Sequence, residues 1–368
     1  MKIPKYILLS FVILLGFSRS VHAGLFTSDD AMVSESRLLM GTTVEIKVPA
    51  GTGYGRKVID NAMDRAFAEI ERVEGLFSVY KKTSEVSRIN KLKKDRPLRI
   101  SSEVFDLIER CKEYTEKTGG AFDVTVKPLV DLWGFGGGEK SEVRSQRSEV
   151  RGQKSEVRVQ IPSDDEIKNA LECVGSQYIV LDSEKMTISF KKDGMAIDLG
   201  GAAKGYATDC AVSVLKSLGI DNAVVNSGGD MYCLGRKSRK NMWKAGVTHP
   251  RKKGSVFFEL RLENKAIATS GDYEKYFEID GRRYSHIIDP RTGYLVDGNV
   301  VSASVAADSA ATADILATAL CVLGDEALWI VELVSGADAL LVMKEGTNLK
   351  TEMTKGFKAG YNVIKSDL

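Results

Sequence analysis

The sequence predicts an α+β fold, built as two lobes of mixed or antiparallel sheet with packed helices. Three observations predict it. Stretches with apolar residues at helical spacing are long and few, while the strand-like stretches between them are short and bounded by glycine-containing turns. A 43% apolar composition over 368 residues also supplies enough material for a sizeable core.

After a polar linker over residues 24–35, Leu39 to Val48 alternates like a strand, and Val58 to Phe77 carries apolar residues at the spacing of an amphipathic helix. A second helix is expected from Val104 to Lys117. It stops at Thr118-Gly119-Gly120, because glycine takes the left-handed conformation that ends a helix without steric cost. Ala121 to Val126 then reads as extended. Ser-Glu-Val-Arg recurs at 141, 148 and 155, behind Gly136-Gly137-Gly138. One valine per repeat cannot supply the two apolar positions per heptad of a coiled coil, so residues 137–160 read as a charged surface insertion.

Lys185 opens a strand, a turn at Lys191-Lys192-Asp193-Gly194 and a further strand, after which a glycine-rich loop starts a helix running to about Leu218. Tyr276–Ile279 and Arg282–Ile288 flank Asp280-Gly281, a strong hairpin signal. The helix from Ser309 to Leu323, closed by Gly324, is apolar almost all round and therefore expected to be buried. The domain outlined in this way covers residues 36–365.

Fifty-two Lys and Arg against 50 Asp and Glu leave no basic footprint, which argues against nucleic acid as a partner. Lys2 and Lys5 precede an apolar run from Tyr6 to Phe17, and Val21-His22-Ala23 follows with small residues at a cleavage position, so residues 1–23 read as an export signal with Gly24 the first mature residue. The run is shorter than the roughly 20 residues that span a bilayer. Retention of the segment as a membrane anchor stays open beside cleavage. Five cysteines without a CxxC pair, and three histidines with none at ligand spacing from a cysteine, give little support to a zinc site.

Four patches carry groups suited to chemistry. In Asp198-Leu199-Gly200-Gly201-Ala202-Ala203-Lys204-Gly205-Tyr206 a strand enters paired glycines and a helix start, where free amides and a lysine favour an anion. A glycine turn with a surface lysine gives the same pattern. Asp314 and Thr318 lie four apart on one face of that apolar helix from Ser309 to Leu323 and could offer two oxygens to a hard cation such as magnesium. Against that stand a Thr318 hydroxyl bonded back to the Asp314 carbonyl and an arginine paired with Asp314. His286, leaving a hairpin strand, could take a proton from a hydroxyl with Asp289 orienting it, although a structural histidine fits too. Tyr273, Tyr276 and Tyr284 could offer stacking faces. Asn226-Ser227-Gly228-Gly229-Asp230 is a second close-approach turn.

Taken in order, these pieces resemble the ApbE-like family of FAD:protein FMN transferases along nearly all of residues 36 to 345. The resemblance is carried by Leu39-Met40-Gly41-Thr42, Phe77-Ser78-Val79-Tyr80, Ser84 to Asn90, Gly120 to Thr125, Asp198 to Tyr206, Gly228-Gly229-Asp230, Thr269 to Tyr273, His286 to Gly293, and Ala313-Asp314 with Thr318. It implies a flavin site between the lobes, with Met40, Ala121, Phe122, Asp123, Asp198, Lys204 and Ile288 contacting FAD as substrate. It implies magnesium held by the Gly201 carbonyl, Asp314 and Thr318, and His286 as the base that deprotonates the acceptor. The implied acceptor is a threonine or serine in a subunit of a membrane redox pump, such as sodium-translocating NADH:quinone oxidoreductase, on the outer face of the cytoplasmic membrane. A periplasmic enzyme there could associate peripherally with the inner membrane. This chain departs from many relatives in lacking a lipoprotein cysteine and in carrying the Ser-Glu-Val-Arg insertion. Two competing readings are an FAD diphosphatase, with water as acceptor, and an exported flavin-binding protein without catalysis.

Overall fold

The computed structural model describes residues 31–50, 53–136, 161–252, 254–279, 282–361 and 364–365. The export segment, the 137–160 repeat and the Asp280-Gly281 turn lie outside them. An eight-stranded sheet runs in the order Met32–Leu39, Thr42–Pro49, Ala223–Ser227, Asp230–Leu234, Lys265–Gly271, Val300–Ala307, Asp338–Glu345, Asn348–Met353. Every strand pairing among the described residues is antiparallel.

Alternation along the strands sorts two apolar layers onto the two faces of this sheet. Ala223, Val225, Ala266, Ala268, Val305, Ala339 and Leu341 join the core formed with the helices Arg56–Phe77, Ser102–Lys117, Ala203–Ser217 and Ala310–Leu323. Val224, Ile267, Ala306, Leu340 and Val342 face the other way, onto Trp243, Val247, Phe258, Leu260 and Phe357. The Val300–Ala307 strand is buried at all eight positions. A third, smaller core of Leu129, Trp133, Ile167, Val174 and Ile288 lies under the His286 to Gly293 segment.

Helix termini follow the capping chemistry of the sequence. Ser101 and Ser309 accept from the amides of Val104 and Thr312, and Gly324, at φ 84°, closes the Ala310–Leu323 helix. Gly205 brings two helices together: a Cβ there would stand 2.3 Å from the Ala310 carbonyl oxygen and 2.7 Å from the Ala311 Cα. Because both neighbours are backbone, a side chain can be admitted only by parting the helices. Gly205→Ala is therefore expected to cost about 2–3 kcal/mol of unfolding free energy, read as a lower urea midpoint at unchanged m-value. An unchanged midpoint would contradict the close crossing.

Several segments differ from the sequence reading. Residues 32–35, expected in the linker, form the start of the first strand. Met40 (φ 56°) and Gly41 (φ 70°) are a two-residue hairpin turn between Leu39 and Thr42, so the strand expected to begin at Leu39 is preceded by its partner. Ala121 to Val126 does not stay extended. Asp123 Oδ1 accepts from the Thr125 amide (2.8 Å) and hydroxyl (2.7 Å), and this side-chain cap winds Val124–Val126 into a 3₁₀ turn that runs into the Lys127–Leu132 helix. The strand expected after Gly194 joins no ladder. Asn90 instead brackets Ile197 on both backbone groups, at 2.8 and 2.7 Å, and the Asp198 amide donates to the Val124 carbonyl at 2.7 Å. The second hairpin strand ends at Ser285, three residues short of Ile288.

Candidate functional site

Four stretches far apart in the chain converge at one place. They are the Asp198 to Ala202 loop with the helix it opens, the Ser227 to Asp230 turn, Lys275 and His286 at the open end of the hairpin, and Asp314 with Thr318 on the Ala310–Leu323 helix. The Ala203–Ser217 helix starts without a side-chain cap, so its first turn keeps amide donors for other partners. One of them, Gly205 N, donates to Asp314 Oδ2 at 3.3 Å.

Lys204 is the hub. Its ammonium is hydrogen-bonded to Asp230 and lies 3.6 Å from Asp314 Oδ2. Both carboxylates are buried, at 2% and 3% exposure, and one lysine between two of them leaves a surplus of negative charge. Burial opposes the charge on Lys204, but Asp230 and then Asp314 outweigh it and hold the amine protonated well above the ordinary lysine range. Burial, and then repulsion from Asp230, push Asp314 up from the usual carboxylate range. Neither the threonine back-bond nor the arginine partner weighed for this pair is what the structure provides.

The remaining oxygens fit a hard cation. Both protein contacts of Asp314 fall on Oδ2, and among the described residues Oδ1 receives none. Thr318 Oγ1 stands 3.3 Å from Ser270 Oγ, and a Cβ on Gly201 would lie 3.1 Å from it. The missing side chain at Gly201 thus lets that backbone approach the Thr318 hydroxyl. A carboxylate, a hydroxyl and a carbonyl, all oxygen, form a donor set suited to magnesium or calcium and unsuited to soft metals.

His286 is half-buried with a defined tautomer. Its backbone N–H donates to the Lys275 carbonyl at 2.9 Å, and Nδ1 lies 3.1 Å from the same oxygen, so Nδ1 carries the proton and Nε2 keeps its lone pair. Asp289, expected to orient the ring, does not do so. Its carboxylate is taken by the Arg291 amide and guanidinium at 2.8–2.9 Å, which folds the tight turn instead. Burial first, then the positive charge of Lys275, lower the His286 pKa to about 4. A base with that pKa is already unprotonated at neutral pH. The acid limb of kcat/KM is therefore expected near pH 4, with activity lost as pH falls through it, whereas a limb near 6.5 would mean an unperturbed imidazole.

The other expected contact residues take several roles. Asp198 is half-buried, accepts from Gly200 N at 2.8 Å, and has its pKa raised by burial. Asp123 spends its carboxylate on Thr125 and the Ser176 amide, and Ala121 and Phe122 are buried beside it. The Ile288 side chain belongs to the small core, and its backbone bridges to Leu295. Met40 holds positive φ at a turn where glycine or asparagine is usual, a strained conformation of the kind that clusters at binding sites. Tyr284 stacks on Phe277 and Tyr273 packs on Gly271, whereas Tyr276 is 45% exposed. Tyr80, quoted in the resemblance but given no role from the sequence, is 64% exposed and feels the charges of Asp198 and Asp131. A cavity of about 660 Å³ borders Asp123, Ser176 and Arg291 but includes none of Lys204, His286, Asp314 or Thr318, so it is not where the reactive groups meet.

Comparison with known proteins shows which family the chain and its fold match. A model of the ApbE family matches residues 40–341. The FAD:protein FMN transferase of Vibrio cholerae is 33% identical over 321 residues, 87% of this chain and 90% of that protein. That of Escherichia coli K12 is 31% identical over 323 residues, 87% of this chain and 86% of the relative. Among solved structures, the flavin transferase ApbE from Vibrio cholerae matches with a TM-score of 0.74 at 31% identity, covering 89% of this chain and 98% of that one. The ApbE protein from Thermotoga maritima matches at 0.76 and 34%, again covering 89% and 98%.

Proposed function

The chain belongs to the ApbE family, and from that premise we propose that the buried cluster around Lys204 and Asp314, with His286 at its edge, is the active site of an FAD:protein FMN transferase. The enzyme moves FMN from FAD to a protein acceptor. The observation that carries the site assignment is His286 itself: a neutral imidazole with Nε2 free, close enough to Lys204 to feel its charge.

In the reaction we derive, the hydroxyl of an acceptor threonine or serine gives its proton to His286 Nε2 as its oxygen attacks the FMN phosphorus. A new P–O bond forms to the acceptor, the bridging P–O bond of the diphosphate breaks, and AMP leaves with the bonding pair. The uncapped first turn of the Ala203–Ser217 helix presents amides to the diphosphate. Lys204 holds Asp230 and Asp314 in place, so its charge is largely matched before substrate arrives. Magnesium fits at Asp314 Oδ1, the Thr318 hydroxyl and the Gly201 carbonyl, and when bound it would supply positive charge to the diphosphate.

The acceptor we propose is a subunit of a membrane redox pump, and the N-terminal segment supports export to the periplasm or the outer face of the cytoplasmic membrane. The test is stoichiometry. With FAD and magnesium, AMP release should stay near background until an acceptor subunit is added, then match bound flavin one to one. AMP released equally fast without acceptor would make the protein an FAD diphosphatase.

A further inference from the structure

We propose that Lys275, the cross-strand neighbour of His286, is a substrate-binding cation that contacts the diphosphate of FAD, a role that rests on the transferase reading above. The hairpin register places it. Tyr276 pairs with Ser285 and Phe277 with Tyr284, so Lys275 stands opposite His286, and the His286 N–H to Lys275 carbonyl bond of 2.9 Å extends the ladder to that pair. Residues directly opposite in an antiparallel pair point to the same face, with Cα atoms about 5.5 Å apart in a hydrogen-bonded pair.

The aromatic contacts identify that face independently. The Phe135 ring lies 5.5 Å from Phe277 and 6.3 Å from His286, so Phe277 and His286 share one side, and Lys275, two residues before Phe277, shares it by alternation. Lys275 is exposed, and among the described residues its ammonium makes no hydrogen bond or ion pair. Lys204 differs in that its charge is divided between Asp230 and Asp314. The charged groups around the pair are Lys275 and Lys204 toward His286, and Asp198 and Glu274 toward Lys275.

Charge balance gives the exposed cation a purpose. With one divalent ion, Lys204, Asp230 and Asp314 together, the interior carries at most about one net positive charge against the two negative charges of a diphosphate, and Glu274, which acts on both Lys204 and Asp314, lowers it further. An unpaired ammonium on the His286 face supplies positive charge that the interior lacks.

The test is binding of FAD and of riboflavin, which lacks the diphosphate, to the wild-type protein, Lys275→Met and Lys275→Arg, followed by flavin fluorescence with magnesium present. Lys275→Met should weaken FAD about tenfold, leave riboflavin unchanged and flatten the salt dependence, and Lys275→Arg should restore most of the affinity. Removing the positive charge should also move the acid limb of flavin transfer to higher pH, a change that a merely structural role would not give. FAD affinity and acid limb both unchanged in Lys275→Met would overturn the proposal while leaving the transferase reading intact. Wild-type protein that binds FAD no better than riboflavin would overturn both.

Discussion

His286→Ala is expected to slow flavin transfer by about 10²–10⁴-fold, the contribution of a positioned general base, while FAD affinity stays close to that of the wild-type protein. The imidazole meets the Lys275 carbonyl through Nδ1 and offers only Nε2 to the reaction, so removing it takes away proton acceptance without touching Lys204, Asp314 or the Ala203–Ser217 amides. One half-buried hydrogen bond is lost, worth about 1 kcal/mol of stability. His286→Asn separates the two roles, because its amide can still donate toward the Lys275 carbonyl but cannot accept a proton. Both variants should therefore be slow, and the asparagine form should keep the wild-type unfolding midpoint. Transfer that survives in His286→Asn at more than a tenth of the wild-type rate would remove His286 from the proton-accepting role.

Asp314→Asn carries the second large effect. The substitution keeps shape but removes one of the two carboxylates on Lys204, and with it the Asp314 Oδ1 that receives no contact among the described residues. Losing a hard-cation ligand at a charged transition state costs several kcal/mol, so a fall of about 10²–10³-fold in kcat/KM is expected, with no recovery on raising magnesium. Stability should move the other way. Without metal the cluster holds one cation and two buried anions, and taking one anion away relieves repulsion that desolvation makes costly. Metal-free Asp314→Asn should therefore unfold no more easily than metal-free wild type, whereas magnesium should raise the unfolding temperature of wild type alone. A magnesium-dependent shift that persists in Asp314→Asn would move the cation elsewhere.

Local chemistry was legible in the sequence, and long-range partnership was not. The helix ends at Lys117, Ser309 and Gly324 could be read because the residue that marks each end lies beside it in the sequence. The grouping of Gly201, Lys204, Asp314 and Thr318 was legible only through the ordered resemblance, since 110 residues separate Lys204 from Asp314. Asp230 as the second carboxylate on Lys204 went unread, because a turn motif says nothing about what its last side chain will meet. The Asp289 misassignment has the same origin: nearness in sequence suggested His286, but a two-residue reach to Arg291 closes the turn at lower entropic cost. Met40-Gly41 escaped because the dipeptide lacks the usual Asn-Gly signal and only the backbone reveals two positive φ values. Strands buried on both faces, such as Val300–Ala307, show no alternation to read.

The most direct test of the account is the intact mass of a redox-pump acceptor subunit after incubation with the purified protein, FAD and magnesium, followed by denaturation. The account predicts a gain of one FMN less water on a threonine or serine, flavin fluorescence that stays with the denatured subunit, and loss of both when magnesium is chelated or His286 is replaced. A flavinylated subunit whose yield is indifferent to both magnesium and His286 would contradict it.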